Sequence, residues 1–316
     1  MGLFDAFKKK PAPAPKRPVR PLMRAGALPP HPEPQADNHF IVVILDSCRY
    51  DTFMAAEPKK IMKLGKVEKR YTYATWTAPS HYNLLTGLLP HTTPPNVYAS
   101  EYYKEDFFNY NERLGAKGIE FAKMVPSLWF PTLLRNTLGY KTNARVSLPV
   151  LNPKTGINRD FDSFQLMDSH NDMAAMLPTM TFDSDRPNYY LLNVGETHYP
   201  YAKPQEDSSM WPRISGVNGV FRKMNDQIGD AVNPDFSEEF QFFDQDKLDQ
   251  LRERQVDTVR FLDDVFEQLY DMVPKNTHIV VTADHGELFG EEGYFGHGPI
   301  LHDKVLEVPY LEGKIR

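Results

Sequence analysis

The chain has 316 residues, 41% of them hydrophobic, a formal net charge of −6 and one cysteine, Cys48. That length suits one large α/β domain with at most a small accessory piece, and the apolar fraction is enough for a sizeable core. The acidic balance speaks against nonspecific nucleic-acid binding, and no run approaches the roughly 18 apolar residues of a membrane-spanning helix. No secretory signal opens the chain, and a lone cysteine makes no intrachain disulfide, so a reducing, cytoplasmic location is the default expectation.

The first ten residues, MGLFDAFKKK, place Leu3, Phe4 and Phe7 before three lysines. On a short helix these apolar groups share one face that a membrane surface could stabilise; in water such a helix is marginal, and the alternative is a frayed terminus. Residues 1–38 carry seven basic and three acidic side chains, a net of +4, so the remainder carries −10. Lys10 to Asn38 is rich in proline and alanine and is expected to be a flexible linker. The domain is therefore expected over 39–316. Peripheral contact with an anionic membrane, at the inner face, is expected through residues 1–24.

From Phe40 the texture changes. FIVVILD, ending at Asp46, is a continuous apolar run of the kind found in buried parallel strands. Pro79 to Thr86 reads as a helix start, and Ser127 to Leu138 as a second helix closed by Gly139. Strands are expected at Lys141–Val146, Tyr189–Val194 and Thr277–Ala283. Between the last two, Leu248, Leu251, Val259, Leu262, Phe266 and Leu269 recur at helical spacing within Asp246–Met272. A short helix near Leu301 and a strand near Val308 close the chain. Residues 92–126 and 200–245 fit the alternation poorly and read as excursions, either substrate-selecting or packing cover.

Strands alternating with helices predict an α/β fold with a mostly parallel central sheet and helices on both faces. Ligands of such sheets collect beyond the carboxyl ends of the strands. Asp46 follows one strand, Glu196 and His198 a second, and Asp284 with His285 a third. Acidic and imidazole groups from distant positions thus converge on one edge. Two carboxylates and an imidazole suit a divalent cation, Zn²⁺ or Mn²⁺ before Mg²⁺ or Ca²⁺. Each group alone is as readily a cap or a turn residue.

Four segments together resemble the alkaline phosphatase/sulfatase superfamily. VVILDSCRYDT resembles its first strand and metal-binding turn, and TWTAPSHYNLLTGLLPH its nucleophile helix. RQVDTVRFLDDVFEQLYD resembles the helix before the late metal strand, and NTHIVVTADHGELFGEEGYFGHG the late metal-binding segment. They occur in the family's order over residues 40–311. The resemblance implies an alkaline phosphatase-like fold and one divalent ion held by Asp46, Thr77, Asp284 and His285. It makes Thr77 the nucleophile, and His198 and His297 substrate contacts. His81 and Arg49 are further candidate substrate contacts, with turn or surface roles as the alternative, preferred for His302. Cys48 and Trp76 are expected in the core, and Glu287 as a loop cap.

Two departures from the sulfatase pattern matter. Ser47 replaces a second acidic residue after the first strand, which makes a calcium site less favourable. Thr77 and His81 stand where sulfatases carry Cys or Ser and an Arg, and threonine cannot give the formylglycine aldehyde. The resemblance therefore points to a hydrolase or transferase of phosphate esters or diesters, with small-molecule, lipid or glycan substrates. A sulfuric ester hydrolase and a noncatalytic metal-binding protein are the alternatives. Many relatives continue into a C-terminal subdomain. A chain stopping soon after Val308 is expected to have a more open site, or one completed by a partner.

Overall fold

The computed structural model describes residues 28–92, 99–120, 129–182, 185–207 and 244–315. In chain order, β1 (His39–Leu45) is followed by α1 (Tyr50–Ala56), β2 (Glu68–Tyr71), α2 (Thr77–Leu85), α3 (Ala99–Leu114) and α4 (Phe130–Asn136). Next come β3 (Lys141–Val146), β4 (Ser163–Leu166), β5 (Asn188–Val194) and the long α5 (Gln245–Met272). The chain ends with β6 (Thr277–Thr282), the two-residue β7 (Leu288–Phe289) and β8 (Phe295–Gly296), α6 (Asp303–Leu306) and β9 (Glu307–Lys314).

Seven strands form one sheet in the order β2-β9-β6-β1-β5-β3-β4. β1 pairs in parallel with both β5 and β6, and all its residues are buried because both faces of the sheet are covered. Its side chains alternate between two cores. Phe40, Val42 and Ile44 meet α2, α3 and α4 through Leu84, Leu85, Phe107, Tyr110, Leu114, Phe130 and Leu134. Ile41, Val43 and Leu45 meet α1 and α5 through Phe53, Val256, Val259, Leu262 and Phe266. Fully burying each such side chain is worth about 1.5–3 kcal/mol. The expected α/β architecture with helices on both faces is therefore what the chain adopts.

Three features depart from the expectation. The strand foreseen near Val308 is β9, eight residues long and antiparallel to β6 and β2. An antiparallel neighbour needs no crossover helix, which frees residues 283–306 to build the active edge. α3 occupies part of the 92–126 excursion, a helix that the sequence reading did not foresee, and buries Phe107, Tyr110 and Leu114 in the core. The end of the presumed linker, residues 28–38, runs against the domain. Gln35 N–H donates to Leu138 O at 3.0 Å, Asp37 N–H to Leu114 O at 3.2 Å, and Arg135 to Pro29 O at 2.7 Å. A Cβ on Gly139, φ +77°, would sit 2.8 Å from Pro32 O, so that chain passage requires a glycine. The terminal apolar trio and its lysines lie outside the described residues, as do 93–98, 121–128 and 208–243. Among the described residues no helix is long and apolar enough to cross a membrane.

Candidate active site and metal centre

The parallel register brings the carboxyl ends of β1, β5 and β6 level, with Leu45 opposite Val194 and Ile44 opposite Thr282. Asp46 continues β1, and its N–H donates to Val194 O at 2.9 Å. The chain then turns sharply at Ser47, φ +60°, which aims the Ser47 N–H at Asp284 Oδ1, 3.1 Å away. Two donors hold this strained turn: Gln255 Nε2 to Ser47 O at 2.9 Å and Thr197 Oγ1 to Asp46 O at 2.7 Å. Across the site, Thr72 Oγ1 donates to Asp284 O at 2.6 Å, and Ser80 Oγ donates to the same carbonyl. Gly286 allows the close pass of α6, since a Cβ there would lie 2.1 Å from Lys304 O.

Asp46, Asp284 and His285 are wholly buried and Thr77 nearly so. One ligand atom from each of Asp46, Asp284 and His285 lies within 4.8 Å of the others. Thr77 Oγ1 is 3.4 Å from Asp46 Oδ1 and 3.3 Å from His285 Nε2. His285 Nε2 is 3.4 Å from Asp284 Oδ2. A tetrahedral zinc site with bonds of 2.0–2.1 Å has ligand–ligand edges of about 3.3 Å, so these spacings fit a first-row divalent ion. Asp284 Oδ2 is buried and has no hydrogen-bond partner among the described residues. An orphaned buried acceptor costs about 1–3 kcal/mol unless something satisfies it. His285 Nδ1–H donates to Gly286 O at 2.9 Å, which leaves Nε2 as the lone-pair atom turned to the site. The donor set thus fits a divalent cation.

The electrostatics agree. Burial pushes the Asp46 carboxyl up, but His198, His285, His81 and the Asn193 amide outweigh it and hold it below the ordinary range. Burial, and then Asp46, push Asp284 well above the ordinary range. Two carboxyls this close cannot both ionise easily without a cation. Burial, with His297 adding to it, keeps His285 neutral, the form a ligand needs.

At the mouth, the His297 ring lies 4.2 Å from that of His285 and 5.6 Å from that of His198, centroid to centroid. Burial pushes the His297 pKa down, but the Glu287 carboxylate, 2.8 Å from Nδ1, outweighs it and leaves the pKa raised. Glu287 also accepts from Tyr201 at 2.9 Å. His198 Nδ1–H donates to Tyr199 O at 2.9 Å.

Residues 38–311 match the family model described as Sulfatase. The chain belongs to the sulfatase family. A search of curated proteins gave no match. Among solved structures it is similar to the C-terminal periplasmic domain of EcEptC from Escherichia coli. That likeness has a TM-score of 0.50 at 12% identity and covers 92% of this chain and 77% of that one. The C-terminal periplasmic domain of phosphoethanolamine transferase EptC from Campylobacter jejuni gives 0.47 at 13%, covering 88% and 80%. A protein in the alkaline phosphatase superfamily from Vibrio parahaemolyticus gives 0.46 at 12%, covering 90% and 62%. At 12% identity the first of these speaks to the fold alone, and the two with lower scores carry no argument.

Within this sulfatase-family site, two expected substrate contacts sit behind the front row. His81 is wholly buried; its Nδ1–H donates to Thr77 O at 2.8 Å and its Nε2 lies 3.4 Å from Asn193 Nδ2. Arg49 is also buried. It binds Asp51 through two donors at 2.8 and 2.6 Å, Glu291 at 2.6 Å and Glu287 O at 3.2 Å, so it ties the metal turn to the late loop. Trp76, expected in the core, is 45% exposed, because it caps α2 at the rim of the site. Cys48 is buried and burial drives its thiol pKa up, so it is a packed thiol. His302 caps α6, its Nδ1 accepting from Lys304 N–H at 3.0 Å.

Two supports escaped the sequence reading. Asn193 donates to Asp46 Oδ2 at 2.7 Å, and its carbonyl oxygen accepts from Ser147 and Leu148 N–H at 3.2 Å each. Gln255 grips the turns after β1 and β5 at once, through Ser47 O and Thr197 O, each at 2.9 Å. The available signal was an amide set into an apolar pattern: Gln255 falls between Leu251 and Val259 on the buried stripe of α5.

Glu196 is fully buried. Its Oε1 accepts from Met173 N–H at 2.7 Å while Oε2 has no partner, and burial raises its pKa from 4.5 to about 7. Between those values the folded chain keeps a proton that the unfolded chain releases. Its contribution to stability therefore falls as pH rises through that window and is level above it, by on the order of 3 kcal/mol. Melting of the parent chain and of Glu196→Gln is expected to diverge from pH 5 to pH 8, the parent losing ground. An equal difference at both pH values would show that Glu196 ionises normally.

Proposed function

We propose that this sulfatase-family chain is a metal-dependent phosphoester hydrolase or transferase that works through Thr77. The observation that carries the reading is Thr77 Oγ1, which sits 3.3–3.4 Å from the Asp46 and His285 ligand atoms at the first residue of α2. Asp46, Asp284, His285 and Thr77 would hold the ion. When bound there, a divalent cation supplies charge neutralisation and Lewis-acid polarisation of the ester.

The chain's own residues account for the rest. His81 and Asn193 fix the backbone of Thr77 and the carboxylate of Asp46. The N-terminus of α2 offers positive potential to an anionic phosphoryl group arriving at Thr77. Thr77 gives its hydroxyl proton to solvent water, and its Oγ attacks phosphorus as the bond to the leaving oxygen breaks. His297, whose pKa the Glu287 carboxylate raises, stands at the mouth to pair, when protonated, with the ester's negative charge and to protonate the leaving oxygen from Nε2. Water or an alcohol then takes the group from Thr77, which is the difference between hydrolysis and transfer. Arg49 acts by positioning, because its donors are committed to Asp51, Glu291 and Glu287 O.

Threonine at this position favours phosphate over sulfate esters, since it cannot form the aldehyde on which sulfatases rely. Chromogenic phosphomonoesters, phosphodiesters and sulfate esters, each assayed with Zn²⁺, Mn²⁺, Mg²⁺ and Ca²⁺, test this directly. Faster turnover of a phosphate ester or diester is expected. Preferred cleavage of an aryl sulfate would overturn the assignment in favour of a sulfuric ester hydrolase.

A further inference from the structure

Beyond the carboxyl end of β2 lies a cavity of about 70 Å³ whose walls include Arg70, Tyr73, His91, Tyr102, Glu105 and Asp106. It is separate from the metal centre but on the same sheet edge, because β2 runs parallel to β6. Tyr73 precedes Thr77 by four residues, a chain span of at most about 14 Å.

Three aromatic rings make one continuous wall. The Tyr73 and His91 rings are 4.7 Å apart, and the His91 and Tyr102 rings 4.9 Å apart. The polar atoms among them are a phenol hydroxyl, which can accept as well as donate, and a ring nitrogen. Tyr102 Oη is buried and has no hydrogen-bond partner among the described residues. His91 Nδ1–H donates to Thr92 O at 2.9 Å, which leaves Nε2 as the ring's other polar atom. Glu105 makes no hydrogen bond or ion pair among the described residues.

The other charges in the walls are already matched. Arg70 donates to Pro90 O at 3.2 Å and to Glu68 at 2.9 Å, and its guanidinium lies 3.4 Å from the Tyr310 ring centroid. Asp106 is held by Arg113 at 2.7 Å and by Leu89 N–H at 2.9 Å. What remains unmatched among the described residues is the Tyr102 hydroxyl, one His91 ring nitrogen and the Glu105 carboxylate.

We propose that this cavity binds a small primary ammonium group. The ring faces attract a cation through their quadrupoles, its N–H donors satisfy Tyr102 Oη and His91 Nε2, and Glu105 closes the charge balance at the rim. An anion is disfavoured, because the one cationic side chain in the wall is committed elsewhere and the uncommitted charge is negative. A water occupies roughly 10–15 Å³ of such space, so several non-hydrogen atoms fit. The inference stands on this lining and does not use the reaction at Thr77.

The test is calorimetric or NMR titration of the full-length protein with n-propylammonium chloride. EDTA is present so that amine–metal coordination plays no part, and n-propanol serves as the uncharged counterpart. Saturable binding of propylammonium is expected, about tenfold tighter than propanol, the scale of one charge-assisted contact. Glu105→Gln, at an exposed position, is expected to weaken it by a similar factor with unchanged melting. Tyr73→Leu, checked by its melting curve, is expected to weaken it as well. Equal affinity for propanol, no saturation, or full binding by Glu105→Gln would overturn the proposal.

Discussion

Thr77→Ala is expected to lower turnover by roughly 10⁴-fold or more, the scale seen when a nucleophile is removed, with the protein still folded. Thr77 Oγ1 makes only long contacts, 3.4 Å to Asp46 and 3.3 Å to His285, so its loss from the fold is worth about 1 kcal/mol or less. The backbone of Thr77 stays anchored by His81 in the variant. Ser80 is badly placed to substitute, because it is buried and its hydroxyl is bonded to Asp284 O and 2.9 Å from Thr72 Oγ1. The check is kcat on the best ester of the panel, with a far-ultraviolet spectrum and a melting curve. Turnover within about tenfold of the parent, a change of only about 1.4 kcal/mol in barrier, would assign the attack to an activated water and remove Thr77 from the mechanism.

Asp284→Asn is expected to act in opposite directions with and without metal. In the metal-free chain, burial and then Asp46 push the Asp284 carboxyl well up. Its folded state therefore holds a proton longer than the unfolded state does. The stability this gives is complete below the ordinary carboxylate value and lost as pH rises through the raised one. At neutral pH asparagine removes that tension. Its oxygen still accepts from Ser47 and His285 N–H, as Oδ1 does at 3.1 and 3.0 Å. The metal-free variant is thus expected to melt above the metal-free parent. With Zn²⁺ or Mn²⁺ at about a hundred times the dissociation constant, the parent gains about 2.7 kcal/mol. That corresponds to roughly 5–10 °C in a domain of this size. The variant, short of one charged ligand, is expected to show little metal-induced shift and no turnover. Melting curves with EDTA and with metal decide it: a variant that melts lower without metal yet still responds to it would remove Asp284 from the ligand set.

The central strands and the candidate cluster of Asp46, Asp284 and His285 were legible in sequence for one shared reason. A strand buried on both faces must be apolar throughout, so β1, β5 and β6 read as continuous runs. The polar residues that end them, Asp46, Glu196 with His198, and Asp284 with His285, then stand out at one edge. The helical spacing within Asp246–Met272 was equally clear, since α5 packs one stripe against the sheet. Family likeness added the expectation that Thr77 is the nucleophile, which spacing alone did not supply.

Only the tertiary structure decided the rest. β2, with the sequence EKRY, and β4, with SFQL, are short and only partly buried, so no apolar pattern announces them. The direction of β9 depends on which neighbour it meets, which no local preference encodes. Residues 28–38 have the composition of a linker, but their N–H groups donate to carbonyls of the domain and Pro29 O accepts from the Arg135 side chain, contacts that composition does not register. Arg49 and His81 were visible as polar residues near the site. Whether they face a substrate or the protein depends on partners 238 and 112 positions away, Glu287 and Asn193. Gln255 joins two turns across 208 and 58 residues. A hydrogen bond reads distance in space, and sequence separation carries no information about it until the fold has closed.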